Sequence, residues 1–282
     1  LKPGKQITNM KHLITTFLVF SFLLPSHSNA KELPLWEAGI GLAYADLPYY
    51  RGSNEHKVYV LPFPYIDYRG EFLQINREHM RGLLYESDIS ELDISLNASV
   101  PVLSGEITAR SGMPDLDPTF EIGPSLNFHI LRAQEGKYVL TLLLPVRPVW
   151  TTQLVYTGMV FQPKLNLDIN NLGEAGWNLG LGAGVIVADQ QYNGYYYDVP
   201  AAYATLDRPA YVARGGYSGM QYIASISKKF DHFWLGGFAK WDTLNGSVLS
   251  DSPLVKTEQN FTAGIALAWI FSQSTTMVDD KQ

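Results

Sequence analysis

The stretch Leu92-Asp-Ile-Ser-Leu-Asn-Ala-Ser-Val100 decides the fold. Leu92, Ile94, Leu96, Ala98 and Val100 alternate with Asp93, Ser95, Asn97 and Ser99. Successive side chains of a strand point to opposite faces, so this segment has one apolar and one polar face. Residues 120–130 repeat the pattern. Phe120, Ile122, Leu126, Phe128 and Ile130 oppose Glu121, Ser125, Asn127 and His129. At 159–169, Met159, Phe161, Leu165, Leu167 and Ile169 oppose Gln162, Lys164, Asn166 and Asp168.

The same period followed along the chain predicts about twelve strands, at 36–45, 58–68, 71–77, 81–87, 92–101, 120–131, 138–149, 157–168, 177–187, 217–230, 233–243 and 261–271. Without the short third and fourth segments the count is ten. Many have the ~9–11 residues that a tilted strand needs to cross a hydrocarbon layer. The connections add a second regularity. Those at 46–57, 102–119, 188–216 and 244–260 are long and fall on one side, with the short 78–80 and 150–156, while Arg69-Gly70, 88–91, 132–137, 169–176 and 231–232 fall on the other and are short. Outer-membrane barrels have short periplasmic turns and long extracellular loops. An even strand count leaves both mature termini in the periplasm. The expected fold is therefore all-β: a closed antiparallel transmembrane β-barrel.

The N-terminal segment predicts export. Met10 is a candidate start, and residues 1–9 then form an upstream translated stretch. Lys11 gives a positive n-region, Leu13 to Leu24 an apolar h-region, and Ser28-Asn-Ala30 a small-residue cleavage site after Ala30. The expected organisation is a leader over 1–30, a barrel over 31–271 and a periplasmic tail over 272–282. Once Lys2, Lys5 and Lys11 are removed with the leader, 18 basic residues face 27 acidic ones. So acidic a chain is a poor partner for nucleic acid, which needs a basic surface. The chain has no Cys, which excludes disulfides and a lipid anchor at the cleavage site, and no 18-residue apolar run.

In lipid every backbone group must be paired, so the apolar alternates face lipid and the polar ones face the interior. Glu37, Asp93, Glu121, Arg147, Lys164, Asp168, Lys228, Lys240 and Asp242 are expected inside. Their mixed signs fit a plugged interior as well as an open pore. Trp36, Tyr44, Trp150, Trp177, Trp241 and Trp269 fall near strand ends, where interfacial aromatics belong. In the last strand, Thr262-x-Gly264-x-x-Leu267-x-Trp269, completed by Phe271, resembles the assembly signal of outer-membrane barrels.

Chemistry-bearing motifs are sparse. No Gly-x-Ser-x-Gly elbow, Walker loop or closely spaced His pair occurs. His129 reads as an interior hydrogen-bonding residue. Gly180-x-Gly-x-Gly184 reads as close packing within a strand rather than a nucleotide cradle. Asp115 and Asp117 read as solvated loop acids before a cation site. No cofactor is expected. The most distinctive loop is Tyr192-Asn-Gly-Tyr-Tyr-Tyr-Asp-Val-Pro-Ala-Ala-Tyr203. Its Tyr195, Tyr196, Tyr197 and Tyr203 suit a binding surface for sugars or proteins, or equally a packed cap over a barrel mouth.

Several stretches resemble the MltA-interacting protein / OmpV family: Trp36-Glu-Ala-Gly-Ile-Gly41, Pro48-Tyr-Tyr-Arg-Gly-Ser53, Leu61-Pro-Phe-Pro-Tyr65, Tyr196-Tyr-Asp-Val-Pro200, Arg208-Pro-Ala-Tyr211, Gly215-Gly-Tyr217, Asp251-Ser-Pro-Leu-Val255 and Trp269-Ile-Phe271. The resemblance implies a non-enzymatic outer-membrane barrel. It also implies a scaffold joining a murein lytic transglycosylase to a bifunctional murein synthase. A small-solute channel, or an adhesin acting through loop 188–216, are the competing functions.

Overall fold

The structure is a computed structural model that describes residues 32–70, 73–75, 80–82, 85–87, 89–134 and 136–279. The leader and its cleavage site at Ala30 lie outside them. In chain order the strands are β1 (Glu32–Pro34), β2 (Trp36–Pro48), β3 (His56–Arg69), β4 (Leu73–Ile75), β5 (Met80–Gly82), β6 (Tyr85–Glu86), β7 (Ser90–Ala98) and β8 (Thr119–Ala133). They continue as β9 (Tyr138–Thr151), β10 (Tyr156–Phe161), β11 (Lys164–Leu172), β12 (Trp177–Ala188), β13 (Gly216–Lys229), β14 (Phe233–Thr243), β15 (Gln259–Gln273) and β16 (Met277–Asp279). One helix, α1 (Gln190–Tyr197), interrupts them.

Each segment expected from the alternation contains strand, 71–77 only over β4, 81–87 as β5 and β6, and 157–168 as β10 and β11; β2 to β15 form one large antiparallel sheet. Neighbours in the sheet are neighbours in sequence, except that β15 returns to pair with β2, Leu267 opposite Leu42. β10 and β11 share the same partners in a continuous register: Phe161 faces Val146 and Lys164 faces Leu143. Pro163 separates them because it has no amide to donate, although its carbonyl still accepts the Val185 amide at 2.9 Å. The ends of the sheet are β5, paired with β4, and β6, paired with β7; these two segments are consecutive in the chain.

The faces are inverted relative to a water-soluble protein. On β15, Ile265, Leu267, Trp269 and Phe271 are exposed, whereas Thr262 on the opposite face is 1% exposed. On β2, Ile40 and Leu42 are exposed and Glu37 is buried. Outward aromatics gather in two belts. Near the loops Phe120 stacks on Trp150, which meets Tyr156 edge-on, and Tyr222 stacks on Trp241. Trp269 meets Phe271 near the turns. The Phe233–Trp269 and Trp241–Phe261 pairs are eight residue steps apart, or roughly 20 Å for a tilted strand, close to the height of an outer-membrane apolar band. No helix among the described residues is long and apolar enough to cross a membrane.

Two expectations need revision. Lys228 is on the outward face: Gln221, Ser225, Ser227 and Lys229 share the inner parity, and Lys228 pairs in register with outward Trp177. Its ammonium lies over the Trp177 and Phe230 rings, 5.5 and 5.1 Å from their centroids. A long stem with a cationic tip suits an interfacial belt. The inward lysine is Lys229, which pairs with Glu37. The segment after the barrel is also more than a tail. β15 extends to Gln273, and β16 pairs with β1, Val278 opposite Leu33.

Candidate functional site

The interior is built from the polar parity of the strands, and most of its charges are paired. Glu121 is held by Arg147 at 2.7 Å, and both are buried. From Arg147 a hydrogen-bonded path crosses the sheet. Its guanidinium donates to Ser95 (3.2 Å) and to Gln162 (2.7 Å). The Gln162 amide donates to Gln221 at 3.1 Å, and that of Gln221 to Asp242 at 3.1 Å. Asp242 also receives Arg51 at 3.2 Å and Lys240 at 3.4 Å. The path thus joins β7, β9, β13 and β14 to the first loop. Asn127 donates to Asp93 at 3.0 Å. Toward the turns, Arg69 bridges Glu37 (3.2 Å) and Asp67 (2.8 Å). Pairing matters because a buried charge without a partner costs several kcal/mol.

His129 sits inside as expected, 3.6 Å from Glu91 and 3.4 Å from the Thr141 hydroxyl. Thr141 is buried and both contacts are long for a proton relay. The glycine run on β12 is a packing device. A Cβ at Gly184 would fall 2.6 Å from Cβ of Lys164, and one at Gly180 2.6 Å from the Ser225 hydroxyl. Asp115 accepts the Ser104 amide at 2.6 Å, and the carbonyl of Asp117 accepts the Tyr195 hydroxyl at 2.9 Å. Among the described residues no group of His, Cys, Asp and Glu is placed to hold a metal ion.

The long loops build a second core at one end. Tyr50, Val102, Ile107, Met113, Tyr196, Tyr197, Val199, Leu244, Leu249 and Leu254 form one buried cluster drawn from four loops. The Tyr-rich stretch supplies its centre. Asp189 caps α1 by accepting the Tyr192 amide at 2.8 Å. Tyr197, 3% exposed, donates its hydroxyl to the Arg51 carbonyl at 2.8 Å and packs edge-on against Tyr50. Tyr196 is buried and bonds Thr119 at 3.1 Å. Tyr195 is half-buried, and Tyr203 lends its carbonyl to Arg208 at 2.7 Å. Burial pushes the Tyr195 phenol up to about 12, helped by Tyr196 and Asp117. Burial, helped by Glu55, raises Tyr50 to about 12 against the field of Arg110.

Two buried arginines tie the loops together without a carboxylate partner. Arg110 donates to the Tyr196 carbonyl (3.0 Å) and the Ser104 hydroxyl (3.1 Å). Arg208 donates to the carbonyls of Ala109 (3.1 Å) and Ser111 (2.9 Å). Neither they nor Arg51 stood out in the sequence, because loops carry no period. Their one signal was position: Arg51 and Arg208 lie in the stretches Pro48–Ser53 and Arg208–Tyr211. With Tyr196–Pro200 and Asp251–Val255, these fold together at the loop end. There Tyr50, Tyr192, Tyr196, Tyr197 and Leu249 roof a cavity of about 520 Å³ walled by Asp93, Glu121, Arg147, Lys164, Lys240 and Asp242.

An inverted sheet, with a polar interior, an apolar exterior and these stretches in place, agrees with the family comparison. Residues 38–271 match the family model described as MltA-interacting protein MipA. The chain belongs to the MltA-interacting protein family. As a member it is a bacterial outer-membrane protein, with lipid against its apolar face. No curated protein matches the chain. Among solved structures, an outer membrane channel from Pseudomonas putida F1 is similar at 11% identity, over 86% of this chain and 98% of that one, with a TM-score of 0.42. A bacterial polysaccharide outer membrane secretin is similar at 9% identity, over 84% and 99%, with a TM-score of 0.43. Outer membrane phospholipase A from Escherichia coli is similar at 10% identity, over 84% and 94%, with a TM-score of 0.35. These scores are low, and no activity is carried over from any of the three.

Proposed function

We propose that this member of the family is a closed, roofed barrel without catalysis of its own, acting as a membrane-anchored docking partner for peptidoglycan-remodelling enzymes. Closure at twelve strands is supported by the two sheet ends. β5 pairs on one side and β6 on the other, in adjacent chain segments, so β5 and β6 counted as one strand, and β10 and β11 as another, complete the ring. Four loops sharing one apolar core above a charge-paired interior carry the reading. An open pore needs a water-filled path, whereas here tyrosines bury themselves at the loop end. With Tyr196 and Tyr197 committed to that core, of the four candidate binding tyrosines Tyr195 and Tyr203 keep accessible surface.

The family's printed name supports a murein lytic transglycosylase, MltA, as partner, and the sequence resemblance extends this to a bifunctional murein synthase. Docking then uses the turn end, where the β1–β16 sheet and the turns before β9, β12 and β14 lie together with both described ends of the chain. The last strand fits an assembly signal, with Leu267, Trp269 and Phe271 on the lipid face and Gly264 on the inner one. The test is a pull-down from detergent extracts using the full chain as bait. Recovery of the transglycosylase, lost when the β1–β16 sheet is removed, supports the docking role. Recovery of no murein enzyme contradicts it.

A further inference from the structure

We propose that the interior cavity binds a small monocarboxylate with an apolar body, anchored by Lys164. The proposal stands apart from docking at the turns. Five other inward basic side chains hold a carboxylate: Arg51 and Lys240 share Asp242, Arg147 holds Glu121, and Arg69 and Lys229 share Glu37. Lys164 has neither an ion pair nor a hydrogen bond. Asp93 and Asp168 act on it only across space, and Asp168 is engaged by the Asn166 amide at 2.9 Å. An ammonium enclosed in a protein is costly unless an anion meets it.

The surroundings describe that anion. Lys164 borders both the roofed cavity of about 520 Å³ and a second one of about 310 Å³. Ile223 and Phe238 border both as well. Phe238 points inward, since the Cβ of an alanine at Gly264 would fall 2.6 Å from its ring, yet it keeps 36% of its surface exposed. An apolar ring left open beside an unpaired cation is complementary to a carboxylate carrying an apolar group. Gly180, Gly236 and Gly264 line the second cavity, together with Asp168. The first cavity is lined by four basic groups, Arg51, Arg147, Lys164 and Lys240, and three acids, Asp93, Glu121 and Asp242. Both volumes suit small ligands.

The experiment is calorimetric titration of the folded protein in detergent micelles with benzoate and with its neutral analogue benzyl alcohol, each corrected for empty micelles. Saturable benzoate binding is expected, with benzyl alcohol weaker by at least about tenfold. Lys164→Met should weaken benzoate by a similar factor and leave benzyl alcohol unchanged, while Lys164→Arg retains benzoate. Heat-modifiable gel mobility checks that each variant folds. If Lys164→Met does not, the discrimination between the two probes by the wild-type protein decides. Absence of saturable benzoate binding, equal binding of the two probes, or benzoate binding unchanged in Lys164→Met overturns the proposal. Displacement of benzoate by equimolar inorganic phosphate would also overturn it, because it makes the site one for any anion.

Discussion

Replacing Tyr197 by Ala should release the roof while leaving the barrel folded. Its ring is buried against Tyr50, so truncation removes about 3–5 kcal/mol of packing. The Arg51 carbonyl loses the phenol that donates to it, a further cost of about 1 kcal/mol. The four loops hold about 70 residues, for which ordinary stabilities of ~0.05–0.15 kcal/mol per residue give roughly 3–10 kcal/mol. The loss is therefore comparable to everything that holds the roof together. The strands are secured separately by their ladders and by lipid. Hydrogen exchange in micelles should show residues 189–215 and 244–258 gaining exchange in the variant, and limited proteolysis should cut there. The amides of β12 to β15 should stay protected and the heat-modifiable mobility unchanged. Loops equally protected in both proteins would refute the idea of a single cooperative roof core. So would unfolding of the strands along with the loops.

Three further outcomes follow from the same contacts. Arg147→Met leaves Glu121 buried without its partner and should cost about 3–5 kcal/mol in urea unfolding from lipid vesicles, whereas Arg147→Met with Glu121→Leu should recover most of that loss. The phenols of Tyr50 and Tyr195 are raised from about 10 in the unfolded chain to about 12. The stability they give the roof is fully present below about pH 10 and lost as the pH rises toward about 12; phenolate absorbance and loop proteolysis should rise together in that window. Exported protein should begin at Lys31 by intact mass, and a start elsewhere would move the cleavage site from Ala30.

How far the sequence disclosed the fold depended on which solvent each segment faces. Where lipid lies on one side and a polar interior on the other, the side chains must alternate. The long expected strands are therefore found, while the short third and fourth are described only in pieces, β4, β5 and β6. Lys228 was misplaced because β13 has a weak contrast: Ala224, Ser225 and Ser227 say little about face, and inward Ile223 breaks the pattern. A lysine at a strand end is also stable on either face when an aromatic belt lies nearby. The loops obey no period, so their shared core, and the arginines that satisfy its carbonyls, became visible only in three dimensions. For the tyrosine-rich stretch two readings were open, cap and binding surface, and Tyr196 and Tyr197 went to the cap. The pairing of β16 with β1 left no trace in the sequence, because three residues bonded through their backbones need no particular side chains. The unpaired state of Lys164 was likewise hidden, although Gly184, packed against it, was legible as close packing.

Planar-bilayer recording tests the roofed barrel most directly. The wild-type protein inserted at neutral pH should show no conductance steps, and Tyr197→Ala should introduce them, because the loop core is what closes the mouth. Steady, pore-sized steps from the wild-type protein, unchanged in Tyr197→Ala, would contradict the account and make the chain a channel.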